Sequence, residues 1–312
     1  MKSDITNLML MCDKHHRLID KEKVAEHSAN ILRKMKQDHE LRIEMLTSIT
    51  EDMQSHVLLY GANVGQHHVQ INLEKASPAM IPRKYPAEKP AIELSLGNSA
   101  LHDNADLYWM FEREQLRRQF SDQVKRRIDL GDIKHLSVFG LAPQPLLIEL
   151  GTLISDICDA DVYQLHREPA TWEWLDYSED FEYIVQEPHS FQRKVALNIS
   201  LSGTIENKRI TNILGEDTSI WTLTIQTPNN DYLKGVKQLK KLRHTYRLLM
   251  DRIKKEHGHD NYLHVFPAAP VSASIELGRI WMPKADLPLR LYDENRISGG
   301  FKHIFDIGFI NK

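Results

Sequence analysis

Two cysteines in 312 residues, Cys12 and Cys158, are too few for a disulfide framework. That scarcity fits a reducing compartment, and a cytoplasmic location is expected. No apolar run approaches the ~18–20 residues a membrane span requires, so no membrane partner is expected. The short apolar stretch near the start meets charge at once, without the long apolar region or small-residue cleavage site of a secretory signal. Neither GxGxxG nor GxxxxGK[ST] occurs among the 14 glycines, so dinucleotide and P-loop readings lack their fingerprint. An excess of one charge is missing too. Lys+Arg 40 against Asp+Glu 43 gives −3, whereas a chain coated with nucleic acid usually carries a clear basic excess. A small basic module or an anion pocket stays open.

With 41% hydrophobic and 27% charged residues the chain can bury a full core, and its length suggests about two domains. An internal repeat is the most informative feature. LSVFGLAPQPLLIELG (136–151) lies over LHVFPAAPVSASIELG (263–278) without a gap, with 9 identities in 16 positions. The shared Ala-Pro and Ile-Glu-Leu-Gly are not generic core residues. Each copy reads as a buried strand, a Pro-containing turn and a helix ending at Gly151 or Gly278, the usual stop residue. A second strand follows at 161–165 and at 289–292. Strand, helix and parallel strand make a βαβ unit, so the expected fold is α/β with two fused Rossmann-like units spanning about 136–165 and 263–292.

Around these units, 193–201 and 221–226 read as strands and 106–127 as a helix. The stretch 231–257 reads as a long amphipathic helix with a Lys/Arg-rich outer face, either simply solvated or a partner surface. The four prolines of 77–90 suggest an extended connector. Residues 7–11 read as a short strand, 13–20 as the start of a helix and 22–49 as a long charged helix. A boundary is expected near 48–56.

In an open α/β sheet, ligands sit at the carboxyl ends of strands, where helix N-termini offer free N–H groups and a positive dipole end. Two repeated units imply two such ends facing across a pseudo-twofold seam, suited to a ligand with two or more phosphates. The candidate contacts are Pro143 and Gln144 at the first turn, Gln164 at the second strand, and Phe266, Ala268, Ala269 and Ser272 at the second turn. Arg167, Trp172 and Trp174 follow the first unit. An Arg beside two Trp can stack on and charge-pair a nucleotide base; the same residues can be a structural Trp pair with a salt-bridged Arg. Lys284 is a candidate phosphate partner. Near the start, Asn7, Cys12, His15 and His16 have the spacing of the strand–helix half of a one-metal ββα nuclease hairpin. No general-base His precedes Asn7.

The segments HLSVFGLAPQPLLIELGTLI, VYQLHREPATWEW and HVFPAAPVSASIELGRIWMPKADLPLRLYD resemble the SAVED sensor domain of bacterial anti-phage (CBASS) systems, over roughly residues 55–312. NLMLMCDKHHRLID, with the charged helix after it, resembles the second half of an HNH endonuclease domain, within residues 1–50. The resemblance implies two fused CARF-like Rossmann units preceded by a partial ββα segment. It also implies a cyclic oligonucleotide messenger, first a cyclic dinucleotide such as cGAMP, whose binding drives self-association and activates a nuclease acting on double-stranded DNA. By position, Asn7 and His16 would be catalytic, Cys12, His15 and His16 metal-binding, and the metal a divalent ion, Mg or Zn. The strand carrying the catalytic His is missing. The chain is therefore expected to be a fragment, or a variant with a dead effector, that does not cut DNA by itself. Two alternatives remain: a phosphodiesterase degrading the messenger, with His166 the nearest base, and a ligand-free oligomerisation module.

Overall fold

The computed structural model describes residues 9–64, 71–95, 106–175, 181–295 and 299–309. The chain divides into two compact units, Met1–Met53 and Gln54–Lys312. In the first, α1 (Asp13–Arg17) runs through a π turn (Leu18–Glu22) and a 3-10 turn (Val24–Glu26) toward α2 (Ala29–Thr47). The long helix thus begins at Ala29 rather than near residue 22. The Ser28 hydroxyl accepts the Ile31 N–H at 3.5 Å, a cap that sets the new start. Residues 9–12 are not a strand. They pair with no other described segment, and a lone strand leaves its backbone donors and acceptors unmet.

The second unit holds two sheets. In the first, β1 (Gln54–Gly61), β4 (His135–Leu141) and β5 (Asp159–Val162) lie side by side, and β2 (Tyr85–Pro86) and β3 (Ile92–Ser95) both pair with β1; every pairing is parallel. The expected connector at 77–90 instead folds into a 3-10 turn (Ser77–Met80), which follows α3 (Leu73–Ala76), and then β2. Ala79 and Met80 are buried there, so burial of apolar side chains overrides the extended preference of the prolines.

The second sheet runs β11-β10-β9-β7-β8-β6, with β6 (Ile184–Gln186), β7 (Lys194–Ser200), β8 (Thr218–Thr224), β9 (Leu263–Ala268), β10 (Leu289–Asn295) and β11 (Gly300–Ile307). Its four central strands are parallel and its two edges antiparallel. The repeat is present in three dimensions as β4-α6-β5 and β9-α9-β10, with α6 at Gln144–Ile154 and α9 at Val271–Ile280. The registers with the second strands differ by two residues, since Leu136 pairs with Ala160 whereas Leu263 pairs with Leu289 rather than Leu287. Val138 pairs with Leu58 in one sheet and its repeat counterpart Val265 pairs with Leu197 in the other. The fold is thus α/β with two fused Rossmann-like units.

Neither Gly151 nor Gly278 stops its helix; each lies inside it. Their role is close approach. A Cβ on Gly151 would lie 2.0 Å from the Ile275 carbonyl oxygen, and one on Gly278 would lie 2.0 Å from that of Ile148. The buried helices α6 and α9 therefore cross backbone to backbone at equivalent positions, and the main core surrounds that crossing. Two outer helices cover it: α4 (Asp106–Phe120), which continues through a π turn (Ser121–Lys125) into α5 (Arg126–Asp129), and α8 (Val236–His257). The remaining helix, α7 (Asn207–Leu214), covers the opposite face of the second sheet.

Each outer helix is tied to its repeat by a buried glutamate. Glu149 holds Arg113 at 3.2 Å and also Arg117, both from α4. Glu276 holds Arg243 of α8 at 3.0 Å and Arg279 of its own helix at 2.8 Å. A buried carboxylate requires counter-charge, which explains the Glu in each Ile-Glu-Leu-Gly.

Candidate functional site

The starts of α6 and α9 meet at the carboxyl ends of β4 and β9. Gln144 and Gln164 of the first repeat reach across to the second. The Gln144 Oε1 accepts the Ala269 N–H at 3.0 Å. The Gln164 Oε1 accepts the Ser272 N–H at 3.2 Å and the Ser272 hydroxyl at 2.8 Å. Glutamine oxygens thus occupy N–H groups at the start of α9, the position in which an anion or a carbonyl ligand would sit. Pro143 caps α6, its carbonyl accepting from Leu146 at 3.0 Å and Leu147 at 3.2 Å. The Ala268 carbonyl accepts from Leu201 at 2.9 Å and Ser202 at 2.7 Å, drawing the end of β7 to the same rim. Sequence reasoning thus brings Pro143, Gln144, Gln164, Ala268, Ala269 and Ser272 to one place.

Beside them lies a loop stapled from afar. The backbone N–H of Arg167 donates to Asp231 at 3.1 Å and that of Glu168 to the same carboxylate at 3.4 Å. The Lys234 ammonium binds the Glu168 carbonyl at 3.0 Å and Asp231 as well. Burial works against the Asp231 carboxylate, but Lys234 and the two N–H donors outweigh it and hold its pKa below the usual range. Arg167 is exposed on this loop. His166 is 1% exposed, and among the described residues its ring nitrogens have no hydrogen-bond partner; the Glu173 backbone lies near but outside bonding geometry. Burial, then the nearby Lys234, lowers its pKa, so the ring is neutral at pH 7. Trp174 meets that ring edge-on at 5.7 Å. Asp231 and Lys234 were missed in the sequence, where nothing in their local pattern ties them to a loop more than 60 residues earlier.

Three candidates lie elsewhere. Trp172 is 5% exposed and packs edge-on against Phe139, itself stacked on Tyr163 at 4.5 Å. It belongs to the core beneath the sheet and has no free face for a base. Phe266 is fully buried and stacks on Tyr292 at 4.3 Å, on the face covered by α7. Alternation along β9 explains this, since Val265 faces α9 and the next side chain must face the other way. Lys284 follows the carboxyl end of α9, about 12 Å of helix from Ser272. It lines a separate cleft of about 900 Å³ with Lys240, Arg243, His244 and Arg247 of α8.

In the N-terminal unit Asn7 lies outside the described residues. The Cys12 Sγ is 3.0 Å from the His15 Nδ1, and the His16 Nε2 is 3.2 Å from the Asp20 carboxylate. These are two separate exposed pairs. Among the described residues no three His, Cys, Asp or Glu converge as a metal site, so the donor set does not fit a held ion and no step is derived through one. No described helix is long and apolar enough to cross a membrane.

Residues 116–307 match the family model for SAVED, the SMODS-associated sensor domain fused to various effectors. Among solved structures, the Acinetobacter baumannii Cap4 SAVED/CARF-domain containing receptor with the cyclic trinucleotide 3'3'3'-cAAA aligns at 13% identity. Its TM-score is 0.52, covering 82% of this chain and 52% of that one. The same receptor with 2'3'3'-cAAA aligns at 13% identity and a TM-score of 0.51, covering 97% of this chain and 63% of the other. At such identity the likeness is one of fold, and the chain spans only about half to two thirds of those receptors. No curated protein matches the chain.

Proposed function

The chain belongs to the SAVED family of sensor domains, and from that we propose that it is a receptor for a cyclic oligonucleotide messenger in anti-phage (CBASS) defence. The seam carries the reading. Two repeated helix starts meet there, the N–H groups of one are held by exchangeable glutamine oxygens, and the neutral, buried His166 has ring nitrogens without a partner. Phosphate or base carbonyl oxygens can take over those N–H groups, with the side amides then free to donate to the ligand. Exposed Arg167 on its stapled loop is the cation nearest in sequence to that rim. Pro143, Gln144, Gln164, Arg167, Trp174, Ala268, Ala269 and Ser272 form the proposed contact set.

A cyclic dinucleotide such as cGAMP is the first candidate, on the HNH resemblance, and a cyclic trinucleotide of the kind held by the Cap4 receptors is the second. Binding drives self-association in this reading, and assembly activates an HNH nuclease that cuts double-stranded DNA. Any divalent ion, Mg or Zn, belongs to the complete nuclease. Calorimetric titration with a panel of cyclic di- and trinucleotides, followed by light scattering, tests the proposal. Tight binding of one member with a rise in mass is expected. Loss of the intact ligand on long incubation would instead indicate a phosphodiesterase, and silence across the panel would leave an oligomerisation module.

A further inference from the structure

We propose that the outer face of α8, with Lys284 beside it, is a docking surface for the phosphate backbone of duplex DNA. The helix carries eight Lys and Arg against Asp251 and Glu256, a net charge of +6 in a chain whose total is −3. Much of that charge is already neutralised. Arg243 is tied to Glu276, Arg247 to Asp286 and Asp251, Lys241 to Glu182, and Arg252 to Glu187 and Glu256. What remains is a broken row: Lys237 and Lys240 near the start of α8 and Lys254 and Lys255 near its end, with Lys284 across the cleft from Lys240. Lys237, Lys240, Lys255 and Lys284 are exposed and Lys254 is half-buried, and among the described residues none of the five has an acidic partner.

The row spans about 27 Å along the helix axis from Lys237 to Lys255. A duplex presents one phosphate charge per ~1.7 Å, so the two ends of an inflexible row of this length each meet phosphate without any bending of the DNA. A membrane surface fits less well. The apolar face of α8, with Leu239, Leu242, Tyr246 and Leu249, is buried in the core and cannot insert into lipid. An acidic protein fits less well too, because apart from Leu248 and Met282 the face has no large apolar anchor. The choice of DNA among polyanions rests on the proposed DNA-cutting effector, whereas the charge argument stands without it.

Fluorescence anisotropy of a labelled 20-base-pair duplex of mixed sequence, titrated with the full chain at several salt concentrations, tests this. Wild type is expected to bind in the ~10⁻⁶–10⁻⁴ M range, weakening steeply with salt. The triple variant Lys237→Gln/Lys240→Gln/Lys255→Gln should bind at least about tenfold more weakly, and its log–log salt slope should be shallower by about 2.7. These lysines are exposed, so an unchanged melting temperature serves as the folding control. No anisotropy change for wild type at 50 mM salt would overturn the proposal, as would a triple variant with the wild-type slope. Cyclic-nucleotide titration of the same variant separates the two readings: loss of duplex with messenger binding intact is the expected pattern, and duplex loss does not depend on whether any messenger binds.

Discussion

Replacing Gly151 by Ala tests the helix crossing on which the seam depends. In a free helix the change is favourable by about 1 kcal/mol, because Ala is the better helix former. Here the new Cβ would lie 2.0 Å from the Ile275 carbonyl oxygen and 2.9 Å from the Arg279 nitrogen, where ordinary contact begins near 3.4 Å. The backbones must part by more than 1 Å, and both belong to buried helices at the centre of the core. Overpacking of this kind costs about 1–3 kcal/mol, and backbone against backbone belongs at the upper end. The net loss is then about 2 kcal/mol, or ~4–8 °C in melting temperature for a unit of this size. Gly203, whose Cβ would meet nothing within 4 Å, is the control and should be near neutral when changed to Ala. Scanning calorimetry of both variants decides the matter. A Gly151→Ala protein that melts at or above wild type would show that helix propensity governs this position, and the reading of the crossing would be wrong.

Other predictions follow from the same physics. Glu276→Leu strands the buried Arg279 and should cost about 3–5 kcal/mol by denaturant titration, whereas an exposed ion pair costs under ~1. Trp172→Ala should lower stability by about 3–5 kcal/mol, while Arg167→Ala should leave melting unchanged and weaken messenger binding by about 1–3 kcal/mol in calorimetry. Burial, helped by Arg290, lowers the His264 pKa to about 4. The unfolded chain protonates near 6.5, so this histidine should remove stability progressively from about pH 6.5 down to pH 4, and a His264→Gln protein should lose that segment of the pH–stability curve.

The architecture was legible in the sequence because buried strands and helices leave dense, ordered patterns. The repeat at 136–151 and 263–278 marked both βαβ units and, with them, the turn residues that meet at the seam. What could not be read was which way an aromatic on a strand or in the loop after one faces. Phe266 and Trp172 look available when only one side of the sheet is imagined, yet each face of these sheets is covered. Lys284 was misplaced because nearness in sequence to α9 does not say which end of the helix is near. The glutamates were readable signals left unused. A Glu in the middle of an apolar helix, repeated at Glu149 and Glu276, demands an Arg, and the pairs Arg113/Arg117 and Arg243 stood ready on the amphipathic helices just upstream of each repeat.

The Gln144 bridge across the seam runs one way. Gln144 reaches from the first repeat to Ala269 of the second, while its counterpart 127 residues later, Val271, is apolar and cannot reach back. Two identical subunits could not have arrived at this, since every substitution in a homodimer appears on both sides at once. Joining the halves in one chain let each mutate independently, so the seam is lined by two unlike walls. For the proposed receptor, such walls can tell the head of a mixed ring from its tail.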